Sequence, residues 1–151
     1  MNKYKRFWQI THETYLNFRF LVWYLFIHSY ILDFHILEGE SMYPTFQPYG
    51  DIVIVDKITP RLLGRGYKRG DIVCAINPVN NDINLCKRIH YFEGETVTFK
   101  NRNEVDVPPN HMWLEGDNKE NSLDSRQFGP ISRQMILGRV WIQIWPKFRL
   151  L

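Results

Sequence analysis

Apolar and polar positions divide the chain into two unlike stretches. Residues 20–32 read FLVWYLFIHSYIL, an apolar run interrupted at His28 and Ser29. Beyond residue 38 the pattern changes to short apolar runs separated by turn residues, which predicts strands over 51–56, 71–76, 83–91, 95–100, 112–115 and 138–145. Gly50, Gly70, Pro78, Gly94, Pro108, Pro109, Gly116 and Gly129 punctuate them. Ala75 is the single alanine, so the residue that most favours helix is nearly missing, and β-branched residues fill the middle of the chain. The body is therefore expected to be mainly β.

The N-terminal run carries an oriented charge pattern. Lys3, Lys5 and Arg6 precede it, and Asp33, Glu38 and Glu40 follow. Trp8, Tyr15, Trp23 and Tyr24 suit a membrane interface, and Arg19 is long enough to snorkel. These features predict an uncleaved membrane anchor over about 15–37, since a span wants about 20 apolar residues and no small-residue cleavage site follows. The competing reading is a buried helix of a soluble domain. Two segments result: 1–37 with the anchor, and 38–151 as the body.

Size and charge narrow the functions open to the chain. Its 151 residues make one ordinary domain, stable without a disulfide framework or structural metal. Lys and Arg exceed Asp and Glu by three, from 19 and 16, which is too small and diffuse an excess for duplex recognition. No nucleic-acid partner is expected. Between 56 and 71 the basic residues Lys57, Arg61, Arg65, Lys68 and Arg69 stand without an acid, as a solvated loop or as one that meets anionic headgroups. The five histidines are scattered and Cys74 and Cys86 lack finger spacing, so neither a metal nor a cofactor is expected.

Three stretches carry candidate chemistry. In 39–45, GESMYPT, Ser41 follows a Gly-Glu pair and precedes Pro44 by three, a forced turn that exposes its hydroxyl beside its own N–H. In 85–89, LCKRI, a strand places Lys87 between Leu85 and Ile89 on one face and Cys86 on the other. Burial lowers a lysine pKa and turns it into a neutral base; the plainer alternative is an edge-strand lysine that deters aggregation. In 116–130, GDNKENSLDSRQFGP, the density of side-chain acceptors predicts a self-bonded loop. There Asp124 and Arg126 can pair with each other or with backbone, and Ser122 can hydrogen-bond a neutral lysine amine.

Together these residues resemble the type I signal peptidases. Gly39 to Thr45 fits that family's nucleophile motif, Gly50-Asp51 and Gly70-Asp71 its strand-leading steps, Lys87-Arg88 with Glu93-Gly94 its general-base strand, and Gly116 through Gly129 its most specific motif. The cysteine before Lys87, the single anchor and the ending GRVWIQIWP are most similar to the family's mitochondrial branch, and a lysine at 87 is unlike the endoplasmic-reticulum branch. The resemblance implies a signal-peptidase-like antiparallel β domain with one N-terminal membrane-anchoring helix. It implies a serine endopeptidase that cleaves sorting peptides from precursors bound for the mitochondrial intermembrane space, held in the inner membrane beside a second peptidase subunit. Ser41 would be nucleophile and Lys87 general base, with Ser122, Asp124 and Arg126 supporting them and the Ser41 N–H meeting the oxyanion. Gly39 stands where some bacterial members carry a second, hydroxyl donor. The alternatives are a bacterial-type leader peptidase of another membrane and a non-catalytic stabilising subunit.

Overall fold

The computed structural model describes residues 3–59, 66–98 and 104–151, and side chains from residue 12 onward except those of 28 and 29. Arg61 and Arg65 of the basic loop, and the end of the strand expected over 95–100, lie outside the described residues. Helix α1 (Lys3–Tyr30) leads into β1 (Leu32–Glu38), followed by β2 (Tyr49–Asp56), β3 (Ile72–Ile76), β4 (Asn84–Phe92), β5 (Thr96–Thr98), β6 (Glu104–Asp106) and β7 (His111–Glu115). A single-turn helix α2 (Ser125–Phe128), then β8 (Ile131–Ser132), β9 (Ile136–Trp145) and β10 (Arg149–Leu150) complete the order.

Eight strands form one antiparallel sheet in the order β1-β2-β9-β3-β4-β7-β8, with β10 on β9, and β5 and β6 make a separate hairpin. The fold is thus mainly antiparallel β with one N-terminal helix. Strand β3 sits at its centre and is covered on both faces, which is why IVCAI shows no polar alternation. Val73 and Ala75 pack with Ile89, Leu114 and Ile136 on one side. Ile72 and Cys74 pack with Val53, Val55 and Val140 on the other. A third cluster, Val97, Val107 and Trp113, seats the β5–β6 hairpin on β7. Each fully buried aliphatic side chain is worth about 1.5–3 kcal/mol, so these clusters supply the main drive to fold.

The N-terminal segment differs from the expected anchor over 15–37. The helix ends at Tyr30 and the chain from Leu32 pairs with β2 in register from Leu32↔Asp56 to Leu37↔Asp51. Strand pairing takes over from the helix at this point: Ile31 N–H closes onto Ile27 C=O, while Ile31 C=O receives the N–H of Lys57. The apolar run is thereby split between helix and strand. Among the described residues, no helix is long and apolar enough to cross a membrane.

The sheet also presents an apolar outer face. Phe34 and Ile36 of β1 are exposed, and the register places Phe34, Ile54, Ile142 and Leu150 in one row and Ile36, Ile52 and Trp145 in the next.

Candidate active site

Ser41 reaches its position through a change of direction after β1. The register shifts between Leu37 and Glu38, and Gly39 follows with φ 103°, a backbone region that side chains rarely enter. Residues Glu40–Met42 then form one 3-10 turn. Met42 and Phe46 anchor that turn by inserting into the core beside Val53 and Val55. The nucleophile candidate is thus held by packing on its C-terminal side, and Gly39 N–H is tied to Pro48 C=O at 2.7 Å.

Lys87 comes from β4 and is 3% exposed. Its Nζ donates to Ser41 Oγ at 2.6 Å. Burial pushes the amine below the ordinary lysine range, and Arg126 adds to that, against opposing pulls from Cys86, Asp124 and Asp117. A lysine in this state gives up its proton more readily than one in water. With the amine neutral, the same separation lets the serine hydroxyl donate to nitrogen, the arrangement in which a base activates a hydroxyl.

The loop after β7 organises around Asp124, which is fully buried. Burial alone would raise its pKa, but its acceptors are fully used. Arg126 donates through Nε and Nη2, and Gly116 N–H and Ser122 Oγ donate to the same carboxylate, holding it at about 2. Asp124 also caps α2: Arg126 N–H bonds its side chain while Gln127 reaches back to its own N–H. Ser122 gives its hydroxyl proton to Asp124 at 2.7 Å. Its bond therefore runs to the carboxylate, whereas the sequence suggested the lysine amine as partner.

A second network was not readable from the sequence. Arg88 grips Asp117 through Nε and Nη2, at 2.8 and 2.7 Å, and bonds Gly70 C=O at 2.6 Å. Asp117 also accepts from the Thr45 hydroxyl. Burial pushes the Asp117 carboxyl up, and Arg88 and Thr45 more than reverse it. One carboxylate therefore ties the Ser41 turn, the Lys87 strand and the Gly116–Asn118 loop together.

Gly116 allows the loop to approach. A Cβ there would lie 2.5 Å from the carbonyl oxygen of Ser41 and 2.2 and 2.6 Å from Oγ and Cβ of Ser122. The same carbonyl accepts the N–H of Asn118 at 3.0 Å. The five residues singled out from the sequence, Ser41, Lys87, Ser122, Asp124 and Arg126, thus meet in one place, with Arg88, Asp117, Thr45 and Gly116 as additions.

Leu37–Gly39, Ser41, Met42, Phe46, Gln47 and Ile83–Lys87 line a groove of about 160 Å³ beside this pair. Cys86 and Lys87 are both among its lining residues, although neighbours in a strand point to opposite faces. Among the described residues β4 pairs with β7 only from Arg88 onward, which leaves 84–87 as an open strand edge bordering the groove.

Comparison with known proteins gives the chain a family. The profile of the family described as signal peptidase, peptidase S26, matches residues 11–105 and 98–145. Mitochondrial inner membrane protease subunit 1 of Mus musculus is 42% identical over 116 residues, covering 72% of this chain and 67% of that protein. The Xenopus tropicalis protein of the same name is 36% identical over 123 residues, covering 78% and 72%. Mitochondrial inner membrane protease subunit 2 of Danio rerio is 38% identical over 120 residues, covering 75% and 64%. With the family matched along most of its length, the chain belongs to the S26 signal peptidases and is a hydrolase of the serine peptidase type.

Proposed function

We propose that this protein is a membrane-anchored endopeptidase that removes sorting peptides from precursor proteins delivered to the mitochondrial intermembrane space, with Ser41 as nucleophile and Lys87 as general base. The observation that carries the reading is the 2.6 Å contact between Lys87 Nζ and Ser41 Oγ in a site where the lysine is buried. Neutral Lys87 takes the proton as Ser41 Oγ attacks the scissile carbonyl, then returns it to the leaving amine. Water, activated by the same amine, releases the acyl group from Ser41.

The oxyanion is met by the N–H of Ser41, an interaction worth about 2.7–4 kcal/mol in other proteases. Gly39 has no hydroxyl to add, and its own N–H is engaged by Pro48. Ser122 donates to Asp124, and with Arg126 they fix the loop that packs against the Ser41 turn.

The open edge of β4 supports binding of the precursor as an added strand. In the β3–β4 ladder Ile89 N–H bonds Asp71 C=O and Asn77 N–H bonds Ile83 C=O, so the bonded positions alternate as 71/89, 73/87, 75/85 and 77/83. Asn84 and Cys86 fall between them, with main-chain groups aimed at the open side. An extended peptide pairing there crosses Ser41, and the small groove selects small side chains.

The inner membrane and a second peptidase subunit are supported by relatives named as subunits 1 and 2 of a mitochondrial inner membrane protease. Lys3, Lys5 and Arg6 before the apolar run, against Asp33, Glu38 and Glu40 after it, favour a catalytic domain on the intermembrane-space side. Exposed Phe18, Phe20, Trp23 and Tyr24 on α1 suit contact with lipid.

The test is separate Ser41→Ala and Lys87→Ala variants assayed for precursor processing at matched expression. Both are expected to be folded and inactive. Lys87→Arg is also expected to fail, because a guanidinium stays protonated. Normal processing by any of the three sinks the Ser/Lys mechanism.

A further inference from the structure

Cys74 and Cys86 have no part in the chemistry described above, yet the fold sets them opposite each other. They are register partners in the β3–β4 ladder. The alternation of bonded positions makes 74/86 a non-hydrogen-bonded pair, the narrow kind, with Cα atoms about 4.5 Å apart. A disulfide needs roughly 4.4–6.8 Å between Cα atoms, so this site lies inside the range. Both thiols are free, and both belong to the Val53–Val140 side of the sheet.

Their exposures differ in a way that gives the pair an order of reaction. Cys74 is 2% exposed, whereas Cys86 is half-buried and lines the groove beside Ser41 and Lys87. We propose that Cys74 and Cys86 form an oxidisable dithiol that closes to a cross-strand disulfide and slows the peptidase by shifting β4 next to Lys87.

With a small-molecule disulfide as oxidant, the Cys86 thiolate attacks one sulfur, forming a mixed disulfide and releasing one thiol. Cys74 then attacks the Cys86 sulfur, its proton going to solvent, and the second small thiol leaves as the Cys74–Cys86 bond forms. The two protein sulfurs lose two electrons and the oxidant gains them.

Closure acts on the site because Cβ atoms in a narrow pair stand about 4.5–5.5 Å apart, while a disulfide holds them near 3.8 Å. The pull is roughly 1 Å, applied one residue before Lys87 and at the residue whose main chain faces the incoming strand. A displacement of that size can cost about 10²-fold in rate. This consequence rests on the proposed Ser41/Lys87 mechanism, whereas the pairing itself does not.

The test treats the purified full chain in detergent with glutathione disulfide and measures intact mass, free thiols and peptide cleavage. Wild type is expected to lose two hydrogens and both thiols, with cleavage falling at least tenfold and returning on reduction. Cys74→Ser, with Cys74→Ala as a second variant against misfolding, should retain one glutathione on Cys86, and Cys86→Ser should take none. Wild type that keeps both thiols, or carries two glutathiones and no internal bond, overturns the pairing. An internal disulfide with an unchanged cleavage rate overturns the control of Lys87. A reduced chain that cleaves no peptide but still closes the bond sinks the peptidase mechanism and leaves the pair standing.

Discussion

Lys87 has to be neutral to work, and its surroundings push in both directions. Burial takes it below the ordinary lysine value of 10.5, and Arg126 pushes the same way, while Asp124 and Asp117 pull it up. The neutral fraction grows as pH rises, so kcat/KM is expected to climb with pH and level off with an apparent pKa below 10.5. In Asp124→Asn a negative charge is removed while Arg126 loses its partner, and both changes disfavour the ammonium. The rising limb should therefore move to lower pH, even where the maximal rate falls. A pH–rate profile of the two forms checks this. A limb that stays in place, or moves up, would mean that another group takes the proton.

Between elements, the site depends on how closely the Gly116–Asn118 loop approaches the Ser41 turn. A Cβ on Gly116 would stand 2.5 Å from a backbone oxygen of that turn, a distance backbone atoms must retreat from. Gly116→Ala is expected to lower kcat/KM about 10²-fold by moving Ser41 or Ser122 off geometry. Kinetics read alongside a thermal melt will show it, and a variant with wild-type kcat/KM would refute the tight approach. This contact also marks where the sequence stops being informative. Ser41, Lys87 and Asp124 were legible because short-range features single them out: a forced turn, a lysine between apolar neighbours, a loop dense in acceptors. The Thr45–Asp117–Arg88 tie joins residues from three elements far apart in the chain, and no local pattern announces it. Among strands, the five longer than three residues beyond residue 38 were visible as runs. β8 and β10, of two residues each, are too short to show any period. β1 was hidden because its outward residues Phe34 and Ile36 are as apolar as its inward Leu37, so the run reads as a continuation of the helix.

That outward apolar row bears on the whole molecule. A soluble sheet face is normally polar, but here Phe34, Ile36, Ile52, Ile54, Ile142, Trp145 and Leu150 lie on one side of β1, β2, β9 and β10. Among the described residues none of the three core clusters draws on α1, so the sheet is expected to fold without it. Because Phe34, Ile36, Trp145 and Leu150 of this row stand exposed, the sheet face is expected to share the attachment to lipid with α1. Residues 31–151 should therefore still bind cardiolipin-containing phosphatidylcholine vesicles, and binding should persist in high salt because its source is apolar burial. Losing a fully buried Phe or Ile from such a contact costs about 1.5–3 kcal/mol, and partial insertion costs less. Phe34→Ser with Ile36→Ser is thus expected to weaken vesicle partitioning at least tenfold while leaving the melting temperature nearly unchanged, since both side chains already face outward. Cosedimentation with vesicles measures the partitioning. Equal binding by the two full-length forms, with no binding by residues 31–151, would return the whole attachment to α1 and leave the apolar face to another partner.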